Sequence, residues 1–232
     1  MPDPRERLIV ALDVSSAAAA QKIVAALGDS ARTYKVGVQL YTAEGPQVVR
    51  HLIASGREVF LDLKYHDIPN TVSSAVEEAA KLGVRMLTVH ASGGGKMLRA
   101  AVDAARNTNA TTMVLAVTVL TSFDQRDLEH AGVRGSVVDQ VSRLAALAIA
   151  SGCHGVVASA LETATVRAEL GDDFLIVTPG VRPAASRHDD QARVVTPAEA
   201  IASGANYIVV GRPITEAADP AAEAREILAQ IA

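Results

Sequence analysis

Short β-branched runs return along this chain at intervals that fit one β-strand plus one α-helix, and they return eight times. The runs are Leu8–Asp13, Thr33–Val38, Glu58–Leu63, Arg85–His90, Thr112–Thr118, Gly155–Ser159, Phe174–Thr178 and Asn206–Val210, with starts 25, 25, 27, 27, 43, 19 and 32 residues apart. Each is nearly continuous in hydrophobicity, as a strand buried on both faces should be. Ala-rich amphipathic stretches lie between them, among them Ala17–Leu27, Thr71–Leu82, Val137–Ala150 and Ala221–Ile231. Several end at a glycine in the manner of a helix C-cap: Gly28, Gly56, Gly83, Gly152 and Gly204. Alternating β and α units imply a parallel sheet, and eight of them predict closure into a (β/α)8 TIM barrel. An open doubly wound sheet is the alternative, and eight units fit closure better. No linker or low-complexity tract divides residues 1–232, so one barrel domain is expected.

Composition narrows the function classes. The chain has 232 residues, 49% hydrophobic but only 3% aromatic, with 26 acids against 22 bases and a formal net charge of −4. That balance excludes general disorder and argues against a nucleic-acid binder, which would carry a basic stripe and stacking aromatics. The longest clean apolar run, Met113–Val117, is far shorter than the ~18 residues a membrane crossing needs. One cysteine, Cys153, allows no internal disulfide and no Cys-based zinc site, and is expected to be a small buried hydrophobe. The N-terminus carries no signal-peptide pattern, and a reducing cytoplasm is the expected compartment.

Polar residues gather where the predicted strands end. Asp13 ends the first, Lys35 sits in the second, Asp62 and Lys64 end the third, and His90 ends the fourth. Thr118 to Ser122 leave the fifth, Pro179 to Arg182 the seventh, and Gly211 with Arg212 the eighth. Barrel enzymes collect their catalytic groups at this end of the strands. Solvation accounts for any one such residue, but poorly for two acids and two lysines around one mouth. Asp62 and Lys64, two apart on a strand, point to the same side, with Asp67 following in the loop. Alternating opposite charges keep the lysines protonated and the aspartates ionised. Such an array can set a fixed negative charge beside a substrate and an ammonium proton beside a developing carbanion, although a structural ion-pair cluster has the same spacing. Gly180, Arg182, Gly211 and Arg212 suit a phosphate site, since loops after the seventh and eighth barrel strands often hold phosphate and Arg forks match its oxygens.

Other features carry less. Ser92-Gly93-Gly94-Gly95-Lys96 lacks the spacing of a nucleotide phosphate loop and reads as a strand-to-helix turn. His51, His130, His154 and His188 have no partner at metal-ligand spacing. Thr121–Gly135 and Gly180–Arg193 read as long loops.

Asp62-Leu63-Lys64-Tyr65-His66-Asp67-Ile68-Pro69-Asn70-Thr71 closely resembles the signature of the orotidine 5′-monophosphate decarboxylase family. The likeness extends over essentially the whole chain, through Leu8–Asp13, Tyr34–Gly37, Thr88–Ala91, Val119–Ser122, Thr178–Pro183 and Val210–Ile214. The resemblance implies conversion of orotidine monophosphate to uridine monophosphate and carbon dioxide, without metal or organic cofactor. It implies that Lys64 donates a proton to C6 of the pyrimidine and that Asp62 sits against the departing carboxylate. Lys35 and Asp67 would complete the charged network. Asp67, Ile68 and Thr71 would reach into a neighbouring subunit's site, making the active unit a homodimer. Asp13 and Lys35 would hold ribose hydroxyls, Thr121 or Ser122 the pyrimidine edge, and Gln191, Gly211 and Arg212 the phosphate. Pro179 would line the substrate site, and Arg182 and Gln191 would belong to a closing loop. Related Mg²⁺-dependent barrels, a sugar-phosphate decarboxylase or a hexulose-phosphate synthase, share the Asp-x-Lys-x-x-Asp pattern. The Ile68–Thr71 extension and the Arg182/Gln191 loop favour the nucleotide enzyme. A non-catalytic phosphate-binding barrel would have no need of Lys64.

Overall fold

A computed structural model describes residues 3–183 and 195–232. Among the described residues, eight parallel strands close into a barrel in sequence order: β1 Leu8–Ala11, β2 Thr33–Gly37, β3 Glu58–Tyr65, β4 Met86–His90, β5 Met113–Val117, β6 Gly155–Val157, β7 Leu175–Thr178 and β8 Tyr207–Val210. The outer layer comprises α1 Ala17–Leu27, α2 Val38–Glu44, α3 Pro46–Ala54, α4 Pro69–Lys81, α5 Gly94–Thr108, α6 Gln125–His130, α7 Val137–Ala150, α8 Ala160–Leu170, α9 Pro197–Ala202, α10 Arg212–Thr215 and α11 Pro220–Gln230. The predicted (β/α)8 barrel is the observed one.

Local chemistry sets the helix ends. Ser16 caps α1 by accepting the Ala19 N–H, and Ser136 and Asp139 form a capping box at α7. Proline opens α4 where its missing N–H costs nothing. All five predicted C-cap glycines have positive φ, from +51° at Gly28 to +104° at Gly204. The Ser92–Lys96 stretch turns the chain from β4 through a short 3-10 segment into α5, as expected. Two expectations need correction. The stretch Thr121–Gly135 is not all loop, because α6 forms within it on a capping box between Asp124 and Asp127. Several strands also stop short: Leu12 and Asp13 lie beyond β1, Val38 already starts α2, and Ser159 caps α8.

Strand alternation divides the apolar residues into two layers. Ile9, Ala11, Phe60, Met86, Leu115, Val177 and Val209 fill the barrel interior. Their neighbours Leu8, Val10, Leu61, Leu87, Val89, Ala116, Ile176 and Ile208 pack in the larger core with the helices. At the strands' N-terminal ends, the carboxylate of Glu58 accepts from Thr33 Oγ1 at 2.9 Å and pairs with Arg85, which also donates to the Tyr207 hydroxyl at 3.2 Å. This polar plug leaves the opposite end of the barrel for the site. No helix among the described residues is long and apolar enough to cross a membrane.

Candidate active site

Following the inward-facing positions toward the strands' C-terminal ends leads from apolar to charged residues. On β1 the series Ile9, Ala11 continues to Asp13; on β2 it is Thr33, Lys35, Gly37; on β3 it is Phe60, Asp62, Lys64. Lys35 Nζ donates to Asp13 Oδ1 at 2.7 Å and lies 3.8 Å from Asp62 Oδ2. Lys64 Nζ donates to that same Asp62 oxygen at 2.8 Å. The order along the mouth is therefore Asp13, Lys35, Asp62, Lys64. The Lys35 and Asp62 side chains are 12% and 13% exposed, so the inner pair is largely shielded from water, while Lys64 at 33% faces the opening. Shielding strengthens each interaction and fixes the lysines without immobilising them in a dry core.

Gly37 makes room for this row. A Cβ there would lie 3.0 Å from Lys35 Nζ and 3.1 Å from Asp13 Oδ1, inside ordinary contact distance. Its backbone, at φ −92° and ψ −178°, is open to any residue, so the constraint is space.

The β3–β4 pairing is irregular at the site. Leu61 is opposite Leu87 and Tyr65 is opposite Val89, so three residues of β3 bulge across from Thr88 alone. Lys64, within that bulge, has φ +52°, the one non-glycine positive φ among the described residues. His90 ends β4 with its ring centroid 5.3 Å from that of His66. Partial burial, followed by the charges of His66 and Lys64, lowers the His90 pKa and favours the neutral ring.

The charged row forms one wall of a cavity of about 520 Å³, a size suited to a small ligand. Asp13, Lys35, Asp62 and Lys64 line it together with Thr121, Pro179, Arg182, Gly211 and Arg212, and β8 pairs with β1, so Gly211 and Arg212 follow the strand next to that of Asp13. Arg182 is 7% exposed, and its N–H donates to the Val195 carbonyl at 3.0 Å. Val181 and Val195 form a bridge, bringing together the chain on either side of residues 184–194. Ser122 is exposed and is not among the lining residues. Gln191 lies outside the described residues. Asp67, Ile68 and Thr71 belong to an exposed stretch from His66 to Thr71, and Ile68 is 66% exposed. Asp67 accepts the Ile68 N–H at 2.6 Å and forms no ion pair with Lys35 or Lys64 of its own chain. Sequence reasoning missed Gly37 and Thr88. For Gly37 the available signal was a glycine two residues past an inward lysine, hence on the same face.

Among the described residues no group of three or more His, Cys, Asp or Glu side chains converges in a metal-binding arrangement. Asp62 spends one oxygen on the two ammonium groups and the other on Thr88. The chemistry on offer is an ammonium donor held against a fixed carboxylate, in a cavity whose lining also includes Arg182 and Arg212, residues of the type that grips an anion.

Residues 6–227 match the family described as Orotidine 5'-phosphate decarboxylase / HUMPS family. The orotidine 5'-phosphate decarboxylase of Afipia carboxidovorans is 53% identical over 230 residues, covering 99% of this chain and 96% of that protein. The one from Halorhodospira halophila is 52% identical over 232 residues, covering 100% and 98%. The crystal structure of an orotidine 5'-phosphate decarboxylase from Lactobacillus acidophilus superposes with a TM-score of 0.87 at 42% identity, covering 97% of this chain and 98% of that one.

Proposed function

The chain belongs to the orotidine 5'-phosphate decarboxylase / HUMPS family, and we propose on that premise that it decarboxylates orotidine 5′-monophosphate to uridine 5′-monophosphate in pyrimidine biosynthesis. It is a carbon–carbon lyase of the carboxy-lyase type working without a cofactor. The observation that carries this reading is the Lys35–Asp62–Lys64 array at one wall of the cavity, with Asp62 Oδ2 at 3.8 Å and 2.8 Å from the two ammonium nitrogens.

The bond between C6 and the carboxylate breaks, carbon dioxide departs and the electron pair stays on C6. Lys64 passes its proton to that carbon and recovers one from solvent. Asp62 lies beside the departing carboxylate and holds the Lys64 ammonium in position, so little reorganisation is needed as charge develops. Lys35 fixes Asp62 from the other side and, with Asp13, binds the ribose hydroxyls. Thr121 contacts the pyrimidine edge, favoured over Ser122 because it lines the cavity. Pro179 packs against the base, and Gly211 and Arg212 hold the phosphate together with Gln191. Arg182 and Gln191 belong to the loop that closes over it. Grip on the phosphate, remote from C6, supplies binding energy for orientation and closure.

The reading includes a homodimer in which Asp67, Ile68 and Thr71 of one copy complete the site of the other. Its support is the exposed His66–Thr71 stretch, with Ile68 66% and Val38 55% exposed and Asp67 unpaired with its own lysines. Sedimentation at micromolar concentration should give twice the 24.1 kDa chain mass; a monomer under turnover conditions would refute the shared site. We also assign one barrel domain over residues 1–232, a cytoplasmic location, and no nucleic-acid or membrane partner.

The test is to add orotidine monophosphate with excess chelator and follow the loss of orotate-ring ultraviolet absorbance. Undiminished turnover is expected. No loss of the orotate absorbance with or without Mg²⁺, together with Mg²⁺-dependent turnover of a hexulose phosphate or keto-sugar-acid phosphate, would favour the hexulose-phosphate synthase or sugar-phosphate decarboxylase reading instead.

A further inference from the structure

Thr88 lies in the middle of β4, wholly buried, and faces the three-residue bulge of β3. We propose that its hydroxyl is the positioning group that holds Asp62 and Lys64 in register for proton delivery, an inference that rests on the decarboxylase reading above.

A regular parallel pair would set one inward residue of β4 against one of β3. Here Asp62 and Lys64 both fall in the bulge across from Thr88, so two charged residues of one strand face a single residue of the next. The arrangement has two local costs. The bulge takes the Lys64 N–H out of the strand ladder, and the lysine adopts φ +52°, a conformation disfavoured for a residue with a Cβ. Thr88 answers the first. The Lys64 N–H donates to Thr88 Oγ1 at 2.9 Å, and the same hydroxyl donates to Asp62 Oδ1 at 3.0 Å. One oxygen thus accepts from the backbone of the proton donor and gives its own hydrogen to the carboxylate beside it.

The division of Asp62 follows from this. Oδ1 is occupied by Thr88, so the carboxylate plane is fixed and Oδ2 turns to Lys64 at 2.8 Å and Lys35 at 3.8 Å. Without the hydroxyl the carboxylate can rotate, and the backbone of Lys64 loses the acceptor that keeps it in the left-handed region. The Lys64 Nζ–Asp62 vector then spreads over several directions, which matters most in the step where the proton must arrive at one carbon. Thr88 itself touches no reacting atom. Its removal should therefore lower kcat and leave substrate and product binding nearly intact.

The test compares T88V, which keeps the shape and loses the hydroxyl, with T88S, which keeps the hydroxyl and loses a methyl. T88V should lose about tenfold or more in kcat, with KM and the Kd for uridine monophosphate changing less than about threefold; T88S should stay within about threefold of wild type in all three. Equal losses in both variants would mean that Thr88 only packs, and wild-type kcat in T88V would equally overturn the proposal. Amide hydrogen exchange supplies an arm that needs neither activity nor a folded variant. In the unsubstituted protein the Lys64 N–H should be protected at least about tenfold over the amides of the exposed turn residues Asp172 and Asp173. Exchange at the same rate would remove the hydrogen bond on which the proposal stands. Absence of turnover in the unsubstituted protein would defeat the decarboxylase reading, while the exchange measurement would still decide the contact.

Discussion

Replacing Gly37 with alanine separates the role of space in the mouth from the role of charge. The substitution adds one methyl and strains no backbone, since φ −92° with ψ −178° suits alanine. Its Cβ would sit 3.0 Å from Lys35 Nζ and 3.1 Å from Asp13 Oδ1, so both atoms must retreat by roughly half an ångström to reach ordinary contact near 3.5 Å. The Lys35–Asp13 hydrogen bond at 2.7 Å is the contact in the way. With the Asp13 side chain 56% exposed, loosening that pair costs at most about 1 kcal/mol of stability. Glycine-to-alanine at a compatible backbone returns about 0.4–1 kcal/mol through the unfolded state. The two nearly cancel, and the melting temperature should move by less than about 4 °C. Activity should not be spared. A catalytic array displaced by a fraction of an ångström loses about 10- to 100-fold in kcat/KM, or ~1.4–2.7 kcal/mol. The assay is ultraviolet-monitored turnover of orotidine monophosphate beside a thermal melt of the same sample. Wild-type kcat/KM in a folded G37A protein would show that the Asp13–Lys35 contact is irrelevant to the reaction.

Four further outcomes follow from the same geometry. Lys64→Ala should abolish turnover yet keep uridine monophosphate binding within about tenfold by calorimetry, and residual turnover near wild type would remove Lys64 as proton donor. Arg212→Ala should lower kcat/KM by about 100-fold or more with an unchanged melt; unchanged kinetics would refute the phosphate assignment. Arg167→Ala should destabilise the barrel by about 2–4 kcal/mol in urea unfolding, because the guanidinium donates to the carbonyls of Gly204, Gly171 and Phe174 and to Asn206 Oδ1 and stacks 4.7 Å from the Phe174 ring; a shift under about 1 kcal/mol would refute that clasp. Stability should also fall with acid. His154 Nδ1 accepts the Val114 N–H at 3.1 Å, which requires the neutral ring, and desolvation lowers the pKa of His154, as it does that of His90, below the ordinary 6.5. The unfolded chain then takes up the proton first, so this stability is complete above about pH 7 and is lost as pH falls through about 6.5 toward the folded pKa. The urea midpoint should be lower at about pH 5.5 than at about pH 7.5, with a smaller difference in His154→Gln; equal differences in the two proteins would exclude His154 as a source.

What could be read in the sequence and what could not divides along the range of the interactions involved. Hydrophobic continuity and glycine C-caps act over a few residues, so β1 to β8 and helices α1 and α7 were legible, with errors confined to ends such as Leu12–Asp13, where the chain leaves the ladder but stays apolar for one residue more. Helix α6 was missed because its signal is the Asp124–Asp127 capping box, a pattern of acids that reads equally well as a solvated turn. The type and rough position of the site residues were also legible, since strand-end placement follows from the barrel. Burial of Cys153 was expected as well, and it pushes the thiol pKa up to about 12.

The relation between Asp62 and Lys64 was of another kind. An alternating Asp-Leu-Lys triplet looks like ordinary strand, and no glycine or asparagine announces the left-handed residue that stands at Lys64. The reason lies 24 residues away in Thr88, and only closure of β4 against β3 brings the hydroxyl to the bulge. The two parts of the site therefore differ in how they are encoded. The charges are specified where they stand, and their mutual geometry is specified by a neighbour whose side chain carries no charge and would pass in any alignment of properties as one more β-branched core residue. A substitution there that conserves volume, such as valine, would keep the fold's pattern intact while removing the hydroxyl that bonds both charged partners. Reading such a site from sequence thus requires the register of the strands, and register is a property of the closed barrel.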